Sequence, residues 1–142
     1  MEITMFEHIL TALDGSQHDT KTLAATKELA KLSGAQVRVL HVREGHFIGR
    51  AGIVPSEEHD HAAGIVDQAV AALGAVGVKA TGTVRASLSG LVVAEILEEA
   101  EESGASVIVM GSRGVSDLTG LLVGSTAHKV IHLGRLPVLV VR

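Results

Sequence analysis

Short apolar segments and helical patterns alternate along the 142 residues of this chain. The segments with the length and composition of buried strands are Ile9 to Leu13, Val37 to Val42, Val78 to Val84, Val107 to Met110 and Val138 to Val141. This alternation predicts an α/β fold with a single doubly wound, five-stranded parallel sheet flanked by helices. At this length we expect one domain that covers residues 1–142.

Between the strands, apolar residues recur at helical spacing. Ala25, Leu29 and Leu32 predict the buried face of the first helix. The next two helices are predicted from Val66, Ala69, Val70 and Leu73, and from Val93, Ile96, Leu97 and Ala100. A fourth helix should begin at Ser125 and end near Gly134. The third helix also carries an acidic stripe, which predicts a solvated face: Glu95, Glu98, Glu99 and Glu102.

The segment from Arg43 to His61 separates the second strand from the second helix. It contains Gly45, Gly49, Gly52 and Pro55, which are residue types that favour turns and interrupt regular structure. We therefore expect a long loop here, of a length typical of a flap or a disordered stretch.

Composition excludes several classes of function. The chain has no cysteine, so it has neither disulfides nor thiolate metal sites. A net charge of −4, without a basic cluster or an aromatic platform, argues against nucleic acid as a partner. The apolar run from Ala69 to Val78 is too short to span a bilayer, so we expect no membrane insertion. The first seven residues lack a secretory pattern, and a cytoplasmic location is expected.

Two histidine-containing groups have the composition of metal ligands. One runs from Glu57 to His61, with His46 nearby in sequence. The other is His128 and His132, which lie one helical turn apart. Polar loop residues and surface histidines at these spacings are common, so we expect no metal site at either place.

Three spaced glycines follow the fourth predicted strand. Gly111 and Gly114 are separated by two residues, and Gly124 follows after nine more, directly before Ser125 and Thr126. Glycine lets backbone N–H groups approach an oxyanion, and the first N–H groups of a helix favour negative charge. The pattern indicates a phosphate-binding loop, although tight turns alone would also use these glycines.

The same pattern, Gly-x2-Gly-x9-Gly-Ser/Thr, resembles the ATP-binding signature of the universal stress protein family. His8 to Ser16 resembles the first strand of that family with its Asp-Gly-Ser end, and Val37 to Val42 resembles the second strand. Pro137 to Val141 resembles the last strand. The resemblance implies a fold like that of the adenine nucleotide alpha-hydrolases, with strand order 3-2-1-4-5. It also implies ATP, together with Mg²⁺, in a crevice between the first and fourth strands.

Family site residues can be transferred to the matching positions. The resemblance places adenine near Asp14 and the backbone of Val42, and the adenosine near Ala12, Met110 and Gly111. It places the phosphates near Ser112, Arg113, Gly114, Val115, Ser116, Gly124, Ser125 and Thr126. Asp14 can equally cap the turn that follows it, and Arg113 can either bind phosphate or point to solvent.

These residues favour a nucleotide-binding regulatory module over an enzyme. No Gly-Lys-Ser/Thr follows the glycines, so the lysine of a P-loop is missing and fast ATP hydrolysis is not expected. No catalytic residue is assigned. The alternatives are a slow ATPase or nucleotidyl-transfer enzyme on the same fold, and an interaction dimer without nucleotide.

An apolar last strand at a sheet edge favours pairing with a second copy. The family resemblance points the same way, so we expect a homodimer through Pro137 to Val141.

Overall fold

Strands and helices alternate in the computed structural model, which describes residues 5–55, 57–112 and 123–142. The strands are β1 (His8–Leu13), β2 (Gln36–Ile48), β3 (Gly52–Pro55), β4 (Ala80–Leu88), β5 (Val107–Gly111) and β6 (Val138–Val141). The helices are α1 (Asp19–Ser33), α2 (His59–Ala75), α3 (Val92–Glu102) and α4 (Ser125–Leu133). Within these ranges no helix combines the length and the apolar character needed to cross a bilayer.

The sheet confirms the predicted α/β class. Its parallel strands lie in the order β4-β2-β1-β5-β6, which corresponds to the predicted order 3-2-1-4-5. The sheet differs in one detail, because the antiparallel strand β3 makes it mixed and six-stranded instead of parallel and five-stranded.

The predicted loop from Arg43 to His61 is largely a β-hairpin, so that prediction was wrong. Strand β2 continues to Ile48, and β3 pairs with its end in an antiparallel register that places Phe47 opposite Ile53. Gly49 and Gly52, with φ of 39° and 74°, make the turn between them. Strand β2 therefore continues beyond its last pair with β1, in which His41 lies opposite Leu13, before the glycines turn the chain. Phe47 and Ile53 are 71% and 58% exposed.

Strand alternation sends apolar side chains to both faces of the sheet. On the face covered by α1 and α2 lie Ile9, Val37, Val39, Val107 and Val109. On the face covered by α3 and α4 lie Leu10, Leu40, Val42, Ile108 and Met110. The central strands are buried on both sides, which explains their continuous apolar sequences.

The predicted buried face of α1 is only partly correct, because Leu29 packs against the core while other positions differ. Leu32 is 87% exposed, and the buried residues are Thr22, Thr26 and Ala30. The Thr26 hydroxyl donates to the carbonyl of Thr22 at 2.9 Å and lies 2.8 Å from the Thr11 hydroxyl of β1. Because these hydroxyls satisfy one another, threonine is tolerated in the core here. Buried threonines do not contribute to apolar periodicity, so the sequence pattern did not indicate Thr22 and Thr26 as core residues.

The acidic stripe of α3 is only partly solvated, because Glu98 and Glu102 are exposed whereas Glu95 and Glu99 are not. Arg85 of β4 lies 2.6 Å from Glu95, 3.2 Å from Glu98 and Glu99, and 3.3 Å from Glu102. The Glu99 side chain is only 9% exposed. A buried carboxylate needs a charged partner, and Glu99 has two, Arg85 and, at 3.7 Å, Arg38 of β2. These ion pairs attach α3 to β4.

We predict that Gly82→Ala destabilises the protein by displacing α2. A Cβ at Gly82 would lie 2.1 Å from Cγ1 of Val66, which is buried between α2 and the sheet. Overpacking of this kind costs about 1–3 kcal/mol of the free energy of unfolding, measurable by urea denaturation.

Gly64→Ala, in helix α2, which packs on Gly82 of β4, is the control. A Cβ at Gly64 meets no atom within 4 Å, so the exchange should add roughly 0.5–1 kcal/mol through helix propensity alone. Equal stability of the two variants would contradict the close contact at Gly82.

Candidate functional site

The carboxyl ends of the central strands open into a crevice of about 360 Å³. Strand β1 pairs with β2 on one side and with β5 on the other, so that Ala12 lies opposite Leu40 and Met110. The chain leaves β1 towards one half of the sheet and returns through β5 to the other half. Such a switch point is where doubly wound sheets bind ligands.

The crevice brings together every described residue of the predicted site. Its lining includes Ala12, Asp14, Val42, Met110, Gly111, Ser112, Gly124, Ser125 and Thr126. The other predicted residues, Arg113, Gly114, Val115 and Ser116, lie outside the described residues. Residues from β1 and from the start of α4 are thus neighbours although more than a hundred positions separate them in sequence.

Ser112 joins the end of β5 to the start of α4. Its backbone N–H donates to the carbonyl of Val141 at 2.7 Å, and its carbonyl accepts the N–H of Gly124. Gly124 is the cap residue of α4 and has extended backbone, with φ −65° and ψ 162°. The N–H groups of Ser125 and Thr126, in the first turn, point out of the start of the helix, and glycine at the cap has no side chain that could bond them.

The turn after β1 is held by two carboxylates. Asp14 accepts the N–H of Ser16 at 2.9 Å, which is the turn-capping role considered for it from the sequence. Asp19, in the first turn of α1, accepts the N–H of Asp14 at 3.2 Å and that of Gly15 at 2.8 Å. Gly15 has φ +83°, a conformation that favours glycine. The pair therefore fixes the shape of this wall of the crevice.

Burial raises the pKa of Asp19 from 3.8 to about 6, and the neighbouring charge of Asp14 contributes to the increase. Asp19 lines the crevice, but its sequence position, five residues after Asp14, suggested nothing more than an acidic first turn. Asp19 becomes a site residue only because the fold places its carboxylate next to that of Asp14.

His41 connects the crevice to the hairpin. Its ring is buried at 3% exposure, and Nδ1 donates to the carbonyl of Leu13 at 2.8 Å. Nε2 contacts the carboxylate of Glu57, which follows β3, while Nε of Arg43 donates to the Glu57 carbonyl at 3.2 Å. Since both ring nitrogens of His41 have protein partners, this histidine ties the base of the hairpin to the wall of the site.

Further lining residues come from parts of the chain to which sequence reasoning assigned no role in the site. Gly90, Val92, Val93 and Ile96 belong to the junction of β4 with α3 and to the start of α3. Glu44 on β2 and Lys129 on α4 add one charge of each sign. The loop after β4 lies at the same edge of the sheet as the loops after β1 and β5. This shared edge, which follows from parallel strands, was the feature that could have indicated these lining residues.

The histidine groups form no evident metal centre. Glu57 and His61 lie 3.7 Å apart, and the rings of His128 and His132 are parallel with centroids 6.3 Å apart. In the ranges 5–55, 57–112 and 123–142, no three His, Asp or Glu side chains come close enough to hold a metal ion.

The sheet order and the crevice at its switch point define a doubly wound α/β protein. The sequence matches the universal stress protein family over residues 5–142, and the chain belongs to this family. It is 37% identical to universal stress protein YxiE of Bacillus subtilis (strain 168) over 151 positions, which cover 97% of this chain and 100% of that protein.

Solved structures are similar over the whole fold. A universal stress protein family member from Burkholderia pseudomallei has a TM-score of 0.76 at 26% identity, over 99% of this chain and 98% of that chain. A universal stress protein from Archaeoglobus fulgidus in complex with dAMP has a TM-score of 0.73 at 24% identity, over 97% of this chain and 99% of that chain. The second likeness concerns the fold alone.

We predict that Asp19→Asn changes the pH dependence of stability. The folded state keeps the Asp19 proton up to about pH 6, whereas the unfolded chain releases it near 3.8. The folded state is thus favoured at low pH, and this contribution is lost as pH rises through 6. Asparagine does not ionise, so the wild type should lose stability relative to Asp19→Asn between pH 4.5 and 7. The relative loss should be on the order of 1 kcal/mol, reduced by solvent screening.

Thermal unfolding at closely spaced pH values measures this difference. Asp67→Asn, at an exposed carboxylate of α2, is the control and should follow the wild type. Parallel curves for wild type and Asp19→Asn would show that the carboxylate pair does not influence folding.

Proposed function

We propose that this member of the universal stress protein family binds an adenine nucleotide, ATP with Mg²⁺, and acts as a regulatory module. The observation that carries the proposal is the convergence of Asp14, Gly111 and the start of α4 on one crevice at the switch point of the sheet. The dAMP complex of the Archaeoglobus fulgidus protein, which has the same fold, supports an adenine nucleotide as the class of ligand.

The crevice offers each part of such a ligand a suitable surface. Aliphatic side chains of Leu40, Val42 and Ile96 line it where the sequence has no Trp or Tyr to stack on a base. We assign adenine to Asp14 and the Val42 backbone, and the adenosine to Ala12, Met110 and Gly111. We assign the phosphates to Ser112, Gly124, Ser125 and Thr126. The same role is proposed for Arg113, Gly114, Val115 and Ser116, which are not among the described residues. Asp14, Asp19 and Glu44 bring negative charge to the same crevice, so a triphosphate needs Mg²⁺ to reduce repulsion.

The proposal predicts that Gly124→Val and Ser125→Ala weaken nucleotide binding, Gly124→Val by tenfold or more. Valine tolerates the φ and ψ of Gly124 but fills the space in front of the α4 N-terminus, whereas Ser125→Ala removes one hydroxyl. Mass spectrometry of small molecules released from the denatured protein, followed by calorimetry with ATP and Mg²⁺, measures the effect.

Ser33→Ala is the control, because the Ser33 hydroxyl bonds within α1 at 2.8 Å to Leu29, away from the crevice. Wild-type protein that releases no adenine nucleotide, and takes up none from ATP with Mg²⁺, would overturn the proposal. The interaction dimer without nucleotide would then be the better description.

We further propose that the hairpin reports occupancy of the site. The contact of His41 with Glu57 and the bond of Arg43 to the Glu57 carbonyl attach its base to the crevice wall. Its apolar side chains Phe47 and Ile53 are exposed, as is typical of surfaces that bind other proteins. A ligand that orders the wall should therefore also order the hairpin.

We predict that ATP with Mg²⁺ slows tryptic cleavage after Arg50, several-fold at saturation. Arg50 is exposed in the turn Gly49–Ala51 at the tip of the hairpin, where cleavage requires local opening. Peptide mapping over time measures the rate. Glu57→Gln should reduce the protection because it weakens the contact with His41, whereas Glu58→Gln, at the exposed neighbouring residue, should preserve it. Equal rates with and without nucleotide would contradict the coupling.

The homodimer and the cytoplasmic location remain proposals. Strand β6 ends the sheet order and pairs with β5 alone among the described strands, and its Leu139 is 41% exposed. Such an edge supports pairing of Pro137 to Val141 with a second copy.

A further inference from the structure

Lys129 is a crevice residue outside the glycine motif. It lies in the second turn of α4, four positions after Ser125 and three after Thr126. Residues at these spacings share one face of a helix, so Lys129 and the first-turn residues border the same space. All three line the crevice, and the lysine is exposed.

The charges of the lining are separated by sign. Asp14 follows β1, Asp19 begins α1 and Glu44 lies on β2, so the carboxylates belong to the β1–β2 side. Among the described lining residues, Lys129 is the one lysine or arginine, and it stands on α4. His41 has both ring nitrogens engaged by Leu13 and Glu57.

The positive side coincides with the start of α4. The N-terminus of a helix carries a partial positive charge from its free N–H groups, and Gly124 has no side chain to bond them. The amine of Lys129, in the second turn of the same helix, adds a full positive charge to this side of the crevice. An anionic group is favoured here, whereas hydroxyl and amino groups are favoured opposite the carboxylates.

We propose that Lys129 binds the phosphate of the nucleotide and, against the carboxylates of the β1–β2 side, sets the direction in which the ligand lies. This inference rests on the proposed function and adds a residue that supplies the cation a P-loop lysine would provide. One amine and the partial charge of the helix start, about +1.5 in sum, come close to the charge of about −1.5 to −2 on a phosphate monoester. A nucleoside monophosphate should therefore bind without a divalent cation, whereas ATP should depend on Mg²⁺.

The test compares Lys129→Met, which keeps the length of the side chain and removes its charge, with the wild type by calorimetry. The ligands are adenosine, AMP without divalent cation, and ATP with Mg²⁺. We expect the dissociation constant for AMP to rise about tenfold and that for adenosine to change less than twofold. Lys129→Arg should recover most of the AMP affinity, because it restores the charge. Lys31→Met, at an exposed lysine in the last turn of α1, is the matched control and should bind like the wild type.

The outcomes separate this inference from the proposed function. Wild-type protein that binds neither adenosine, AMP nor ATP overturns both. Wild-type protein that binds AMP, with Lys129→Met binding it equally well, overturns the role of Lys129 alone. An equal loss of adenosine and AMP affinity also overturns it, because a residue that holds phosphate cannot affect a ligand without phosphate. Thermal unfolding of each variant confirms that the fold is retained.

Discussion

The parallel pairing of β1 with strands on both of its sides is the constraint on which the site depends. Ala12 lies opposite Leu40 of β2 and Met110 of β5, so three strands end at one edge of the sheet. Parallel strands need crossovers, and the crossovers diverge at this edge. The loop after β1, the end of β5 and the starts of α3 and α4 are consequently grouped around one space. The crevice thus follows from strand order before any side chain is considered.

Charged side chains have different roles between α3 and β4 and inside the crevice. Arg85 of β4 collects the glutamates of α3, Glu99 among them, and so positions the helix whose first turn forms a crevice wall. Within the crevice, Asp14 and Asp19 lie together, and burial with their mutual repulsion raises the pKa of Asp19 to about 6. Ion pairs attach α3 to β4, whereas like charges lie together in the crevice, and perturbed pKa values of this kind are typical of functional sites.

The hairpin extends the second strand beyond the sheet, and its base is part of the site. The buried ring of His41 bonds the end of β1 on one side and Glu57 on the other. The chain between them carries Phe47 and Ile53 into solvent. The wall of the crevice and the hairpin with its exposed apolar side chains are therefore joined through His41 and Glu57.

Local sequence determined most of the helices and strands of this protein, apart from the hairpin of β2 and β3, and the tertiary structure decided which residue each polar side chain contacts. Continuous apolar strands and the spaced glycines before Ser125 followed from periodicity and backbone chemistry, which neighbouring residues alone impose. The buried Thr26, the Arg85 ion pairs and the crevice roles of Asp19 and Lys129 did not. Each depends on a residue distant in sequence: Thr11 satisfies one hydroxyl, and the folded sheet brings α4 opposite β1. The fold decides whether a polar side chain is buried in the core, forms an ion pair or lines the crevice. The free energy of burying a polar group depends on the partner that the fold places beside it.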